Sequence, residues 1–179
     1  MVTYAVLLRG VNLGGNRKLA MADLRRVLES LGYTAVSTHL NSGNAIITTG
    51  DTDPERVAAT VHEALATELS LRSAVLVRTG KELAEVISAN PFPEHESEPA
   101  KLHVAFLSAQ PARKAFEAID PAAFAPDEFR LGDRAMYLWF PNGAGRSKLT
   151  MPALAKLKVE VTARNWNTVL ALAAKTAQD

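Results

Sequence analysis

The sequence contains no cysteine. That absence removes disulfide frameworks, zinc–thiolate sites, iron–sulfur ligation and thiol nucleophiles together. Aromatic residues are scarce at 6%, which argues against the exposed stacking platform with which RNA-recognition sheets hold bases. Nowhere does an apolar run approach the roughly 18 residues of a membrane span, so no membrane partner is expected. Neither charge sign dominates. Twenty Lys+Arg face 19 Asp+Glu, and a formal charge of +1 names no partner. The segment Met1 to Arg9 lacks a basic n-region and a long apolar run, which predicts no signal peptide and a cytoplasmic protein.

What is present fits a globular chain. Hydrophobic residues make up 47% and charged residues 22% of 179, which excludes wholesale disorder and leaves room for one large domain or two small ones. The small net charge hides an asymmetry. Residues 1–50 balance to +3, residues 51–129 to −7 and residues 130–179 to +5. Basic ends around an acidic centre fit a binding surface, and they fit ordinary solvated helix faces equally well.

Periodicity and turn signals give the organisation. Tyr4 to Leu8 reads as a buried strand, and Leu24, Val27, Leu28 and Leu31 as a helix closed by Gly32. Val36–Leu40 and Ala45–Thr49 flank Asn41-Ser42-Gly43-Asn44 as a hairpin. Asp53-Pro54 opens a helix striped by Val57, Val61, Leu65 and Leu69, and Ala74–Arg78 is a strand. A helix from Lys81 to Ala89 and the Pro/Glu-rich segment Asn90–Pro99 follow. Beyond them come a strand at Lys101–Leu107, a helix at Pro111–Ile119 and strands at Glu128–Leu131 and Ala135–Phe140. A short helix at Met151–Leu157, a strand at Val159–Ala163 and a final helix from Trp166 to Ala177 complete the chain. The order β-α-β-β-α-β thus occurs twice. It predicts an α+β fold of two tandem ferredoxin-like units with a helical connection and a C-terminal helix. The expected parts are a first half at 1–80, a helix and linker at 81–100, and a second half with the final helix at 101–179.

That topology gathers polar motifs. In a β-α-β-β-α-β unit, the loop after strand 1 and the hairpin between strands 2 and 3 leave the sheet at one end. Arg9, Asn12, Gly14, Gly15, Asn16, Arg17 and Lys18 would therefore meet Asn41, Ser42 and Asn44. Adjacent glycines let backbone N–H groups form an anion nest beside Arg and Lys, and the same segment also reads as a plain flexible turn. It is neither a Walker A loop nor a dinucleotide fingerprint, because the glycine spacing fits neither. In the second half, Arg146, Ser147 and Lys148 would lie beside Arg164 and Asn165. Asn165 suits an N-cap, and Arg164 suits either an anion clamp or a structural ion pair. Trp166 continues an apolar stripe with Val169, Leu170 and Ala173 and is expected to be buried.

Catalytic signals are thin. His39, His62, His95 and His103 lie on different elements without metal-ligand spacing, so neither a metal nor a cofactor is expected. His62 and His95 read as surface residues. Ser42 lies near His39 but no acid is placed to orient that imidazole.

The segments Leu8-Arg9-Gly10-Val11-Asn12, Gly14-Gly15-Asn16-Arg17-Lys18, Leu40-Asn41-Ser42-Gly43-Asn44 and Ala163-Arg164-Asn165-Trp166-Asn167-Thr168-Val169 resemble a widespread bacterial family of uncharacterised proteins, a domain of unknown function. The resemblance implies an α+β fold and no particular activity. Its motifs coincide with the loops that the topology gathers. The leading expectation is therefore binding of a phosphate-bearing or other small anion, either a nucleotide or single-stranded nucleic acid. The site would comprise Arg9, Asn12, Gly14, Gly15, Lys18, Asn41, Ser42, Asn44, Lys148, Arg164 and Asn165. An enzyme acting on a small anionic substrate is the alternative. A purely structural role for the motif residues is the third reading.

Overall fold

The computed structural model describes residues 1–13 and 17–177. The chain divides into two compact units, Met1–Ala84 with Leu172–Asp179, and Glu85–Ala171. Each unit holds one four-stranded antiparallel sheet, and the fold is α+β.

In the first unit, β1 (Val2–Leu8), α1 (Met21–Ser30), β2 (Thr34–Thr38), β3 (Asn44–Thr49), α2 (Pro54–Leu69) and β4 (Val75–Thr79) follow in order. The sheet runs β2-β3-β1-β4. Alternation along β1 sends Tyr4, Val6 and Leu8 into one core with Leu24, Val27, Val57, Val61 and Leu65 of the two helices. Each such side chain contributes about 1.5–3 kcal/mol by leaving water. Ala5 and Leu7, on the other face, are buried too, with Ile46 and Leu76. The expected cap holds at α2, where an Asp53 carboxylate oxygen accepts from the Glu55 and Arg56 amides at 3.0 and 3.3 Å.

The second strand lies two residues earlier than its apolar pattern predicts. Ala35 and Leu40 both have positive φ, +49° and +57°. The first breaks the ladder between Thr34 and Ser37 as a bulge, and the second turns the chain out of the strand. Apolar character at Val36 and Leu40 cannot reveal either kink.

α3 (Gly80–Ser88) leads to the second unit, where β5 (Leu102–Leu107), α4 (Arg113–Glu117), β6 (Glu128–Leu131), β7 (Ala135–Trp139), α5 (Met151–Leu154), β8 (Val161–Asn165) and α6 (Trp166–Thr176) follow. Both α3 and α6 cross the division between the units. The sheet order is β6-β7-β5-β8. Ala105, Leu107, Met136, Leu138 and Val161 pack with Ile119, Leu154 and Leu157. On the opposite face the Tyr137 hydroxyl donates to the Val86 carbonyl at 2.6 Å, and His95 stacks on Trp139 at 3.7 Å between centroids. The Pro/Glu-rich segment thus carries a buried Phe92 and a 3-10 turn at Pro93–His95, and the His95 ring lies on the sheet rather than in solvent.

The short helix expected over Met151–Leu157 tightens to 3-10 geometry at Ala155–Leu157 and ends on Lys158, φ +57°. That left-handed residue delays β8 to Val161–Asn165. Arg164 and Asn165 therefore lie within the strand instead of beyond it.

Candidate functional site

In the first unit, Leu7 pairs with Asn44, and the Leu8 amide donates to the Gly43 carbonyl at 2.8 Å. The loop after β1 and the β2–β3 hairpin therefore occupy the same end of the sheet. Gly43 makes this contact possible. Its φ is +77°, and a Cβ there would meet Val11 Cγ2 at 2.5 Å and Leu8 Cβ at 2.9 Å.

The asparagines at this end are tied into the backbone. Asn12 Oδ1 accepts from the Leu19 amide at 2.8 Å, and its Nδ2 donates to the carbonyls of Leu19 and Asn41 at 2.9 and 2.6 Å. One side chain thus closes the loop and staples it to the hairpin. Asn44 is fully buried, with Nδ2 donating to the His39 carbonyl at 3.0 Å and to Ser42 Oγ at 2.9 Å. Arg9 is half-buried, and its carbonyl accepts from the hydroxyl of the buried Ser73 at 2.7 Å. His62 is half-buried rather than a plain surface residue, with Nδ1 2.7 Å from the Ser73 carbonyl. Arg17, Lys18 and Asn41 are exposed. Gly14, Gly15 and Asn16 lie outside the described residues. Burial, and then the charge of Lys175, hold the His39 imidazole below its ordinary pKa.

In the second unit, Leu102 pairs with Trp139 and His103 with Asn165. The loop after β7 and the end of β8 therefore share an end. The side chains separate, however. Arg164 is buried in its sheet, where Nη1 donates to Thr162 Oγ1 at 2.7 Å and to the Ala163 carbonyl at 2.8 Å. Burial lowers its guanidinium to about 10. Asn165 Oδ1 accepts from the Thr168 amide at 3.0 Å and caps α6, while Trp166 is buried. Arg146 and Lys148 instead line an open cleft of about 230 Å³ with Asn142, Phe124, Pro126 and Asp127. Asp127 accepts from the Ser147 hydroxyl at 2.7 Å, and the Leu149 amide donates to that same Ser147 oxygen at 2.8 Å. Two cations, an amide and one already hydrogen-bonded carboxylate make a wall suited to an anion. Phe124 and Pro126 add an apolar strip to the lining.

Residues 1–137 match the family described as a protein of unknown function, DUF1697. The chain belongs to that family. A solved structure, that of the conserved bacterial protein SP0830 from Streptococcus pneumoniae, is similar over 99% of this chain and 99% of its own, with a TM-score of 0.75 at 20% identity. At that identity the likeness shows a common fold and nothing about chemistry. No curated protein matches the chain. No described helix is long and apolar enough to cross a membrane. Among the described residues, no three His, Asp or Glu side chains form a group able to hold a metal ion.

The structure also brings out residues that motif reading passes over. Arg78 in β4 occupies the position of Arg164 in β8: each is buried, each donates to the carbonyl of the preceding residue, and each precedes a helix cap. Thr79 Oγ1 accepts from the Glu82 amide at 3.1 Å while a Glu82 carboxylate oxygen accepts from the Thr79 amide at 2.8 Å, a reciprocal capping box. Laying Arg78-Thr79 over Arg164-Asn165 reveals this internal correspondence. Sequence similarity between the halves does not, because the caps differ in chemistry. Phe124, Pro126 and Asp127 of the cleft carry no motif at all.

Proposed function

We propose that this DUF1697 protein binds a small phosphate-bearing ligand in the second unit's cleft, with Arg146 and Lys148 holding the anion and Asn142 orienting it. The supporting observation is the meeting of two exposed cationic side chains in a cleft where Asp127, the one carboxylate among its described lining residues, already accepts the Ser147 hydroxyl. A volume of about 230 Å³ lies below the ~300–1,000 Å³ of typical ligand pockets, which favours a nucleoside monophosphate or smaller ester over a nucleic-acid strand. In this reading Phe124 and Pro126 take the ligand's apolar part. The halves are two ferredoxin-like units, a reading supported by the strand orders β2-β3-β1-β4 and β6-β7-β5-β8. Calorimetric titration of wild type and an Arg146→Ala/Lys148→Ala variant with a nucleoside monophosphate and with inorganic phosphate tests the proposal. Saturable binding that the variant loses supports it. Absence of binding to both proteins overturns it.

A structural role is the second reading for part of the expected site. It is favoured for Asn12, Asn44 and Asn165, whose side chains close a loop, brace a hairpin and cap a helix. Lys18 and Asn41 stay exposed at the first unit's loop end, and Lys148 lines the second unit's cleft, so that reading does not extend to them.

A further inference from the structure

The first unit's loop end carries an oddity that neither folding nor anion binding explains. Leu13 is 75% exposed and Leu40 is 61% exposed. Each flanks the contact that joins the two loops: Leu13 follows Asn12, Leu40 precedes Asn41, and the Asn12 side chain donates to the Asn41 carbonyl at 2.6 Å. Leu40 moreover has φ +57°, a left-handed conformation that a Cβ disfavours and that Asn or Gly adopts more readily. A leucine held there, with its side chain in water, contributes nothing to the core and strains the backbone.

The surroundings select the partner. Arg17 and Lys18 are exposed in the same loop as Leu13, and Arg25 reaches from α1 to β2, its Nη1 donating to Thr38 Oγ1 at 2.7 Å. Residues 1–22 and 30–50 contain no carboxylate, so the two loops themselves present one sign of charge. The partner's charge is therefore acidic. Residues 5–32 and 34–50 contain no Phe, Trp or Tyr. Stacking on bases, the usual anchor for single-stranded nucleic acid, has no platform here. β2 is the terminal strand of its sheet and ends two residues before Leu40. Its edge offers main-chain donors and acceptors, which a polypeptide can pair and a lipid surface cannot use.

We propose that this end of the first unit docks an acidic protein segment bearing apolar side chains, with Leu13 and Leu40 as anchors and Arg17, Lys18 and Arg25 as the cationic rim. This surface is independent of the second unit's cleft, so the two proposals fail separately.

The test is fluorescence anisotropy on the full-length protein with four probes. These are a labelled peptide of alternating Glu and Leu, one of alternating Glu and Ser, an oligothymidylate, and phosphatidylcholine vesicles containing phosphatidylserine. Wild type is expected to bind the Glu/Leu peptide and to bind the Glu/Ser peptide at least about tenfold more weakly. Leu13→Ser/Leu40→Asn is expected to lose about tenfold or more in affinity for the Glu/Leu peptide. Its melting temperature should be unchanged or raised, because Asn relieves the left-handed strain. Arg17→Ala/Lys18→Ala is expected to weaken binding and flatten its dependence on salt. The proposal is overturned if the leucine variant binds as wild type does, if no acidic peptide binds, or if the oligonucleotide or the vesicles bind in preference to the Glu/Leu peptide.

Discussion

The two loop ends carry similar polar, glycine-containing sequences and use them differently. In the first unit the loop after β1 folds back on the hairpin, and Asn12, Gly43 and Asn44 are consumed in making that contact. In the second unit the loop after β7 stays open, and Asn142, Arg146 and Lys148 form the wall of a cleft. A glycine- and asparagine-rich loop is therefore not a site by composition. What decides is whether its side chains spend their hydrogen bonds on the backbone.

The largest expected effect that separates the two ends comes from their glycines. Gly43 has φ +77° and no room for a methyl group, whereas Gly143 has φ +86° and nothing within 4 Å of the place a methyl group would take. Gly43→Ala is expected to destabilise by roughly 2–4 kcal/mol, combining overpacking with left-handed strain. Gly143→Ala is expected to cost only the strain, about 1 kcal/mol. Urea unfolding of both variants measures the gap, and equal losses would erase the contrast between a closed and an open loop.

The asparagines sharpen the same comparison. Asn12→Ala leaves the Leu19 amide and two carbonyls without their partner, and a loss of about 1–3 kcal/mol is expected. Asn142→Ala, at an exposed position in the cleft, is expected to change stability by less than about 0.5 kcal/mol. Its cost should appear in phosphate affinity instead. Thermal melts and a titration of each variant separate the two kinds of loss.

The smallest effect concerns pH. His103 in β5 has a buried Nδ1 that meets no hydrogen-bond partner among the described residues, and its ring meets Phe140 edge-on at 5.1 Å. Burial lowers its pKa below the ordinary value, against a smaller opposing contribution from the Lys101 backbone. The unfolded chain then takes up a proton before the folded one does. Stability is full above about pH 6.5 and falls as pH drops toward the lowered folded-state value. His103→Leu is expected to reduce the loss of melting temperature between pH 7.5 and pH 5.5. A slope identical to that of wild type would show that His103 titrates alike in both states.

Much of the fold is legible in the sequence because long periodic stripes and strong caps dominate it. The Val57–Val61–Leu65 stripe and the Asp53 cap predict α2 to within its ends. The apolar patterns of β2 and β8 misplace those strands by two residues, because left-handed residues at Ala35, Leu40 and Lys158 set their limits. None of the three is Gly or Asn, so nothing in the residue types announces the turn. That displacement has consequences for the site. Reading Arg164 as a loop residue makes it an anion clamp, whereas one more strand residue puts its guanidinium inside the sheet. Topology alone places Lys148 at the end of the sheet where it lies. Its cleft partners Phe124, Pro126 and Asp127 lie at and just beyond a 3-10 turn, Pro121–Phe124, whose Asp120-Pro121 start is a local signal that apolar periodicity passes over.

Calorimetric titration of a nucleoside monophosphate into wild type and into Arg146→Ala/Lys148→Ala tests the central claim most directly. The expected result is saturable binding to wild type that weakens at least about tenfold in the variant, while Arg17→Ala/Lys18→Ala binds as wild type does. Equal affinity for all three proteins, or no binding to any of them, would contradict the assignment of the cleft.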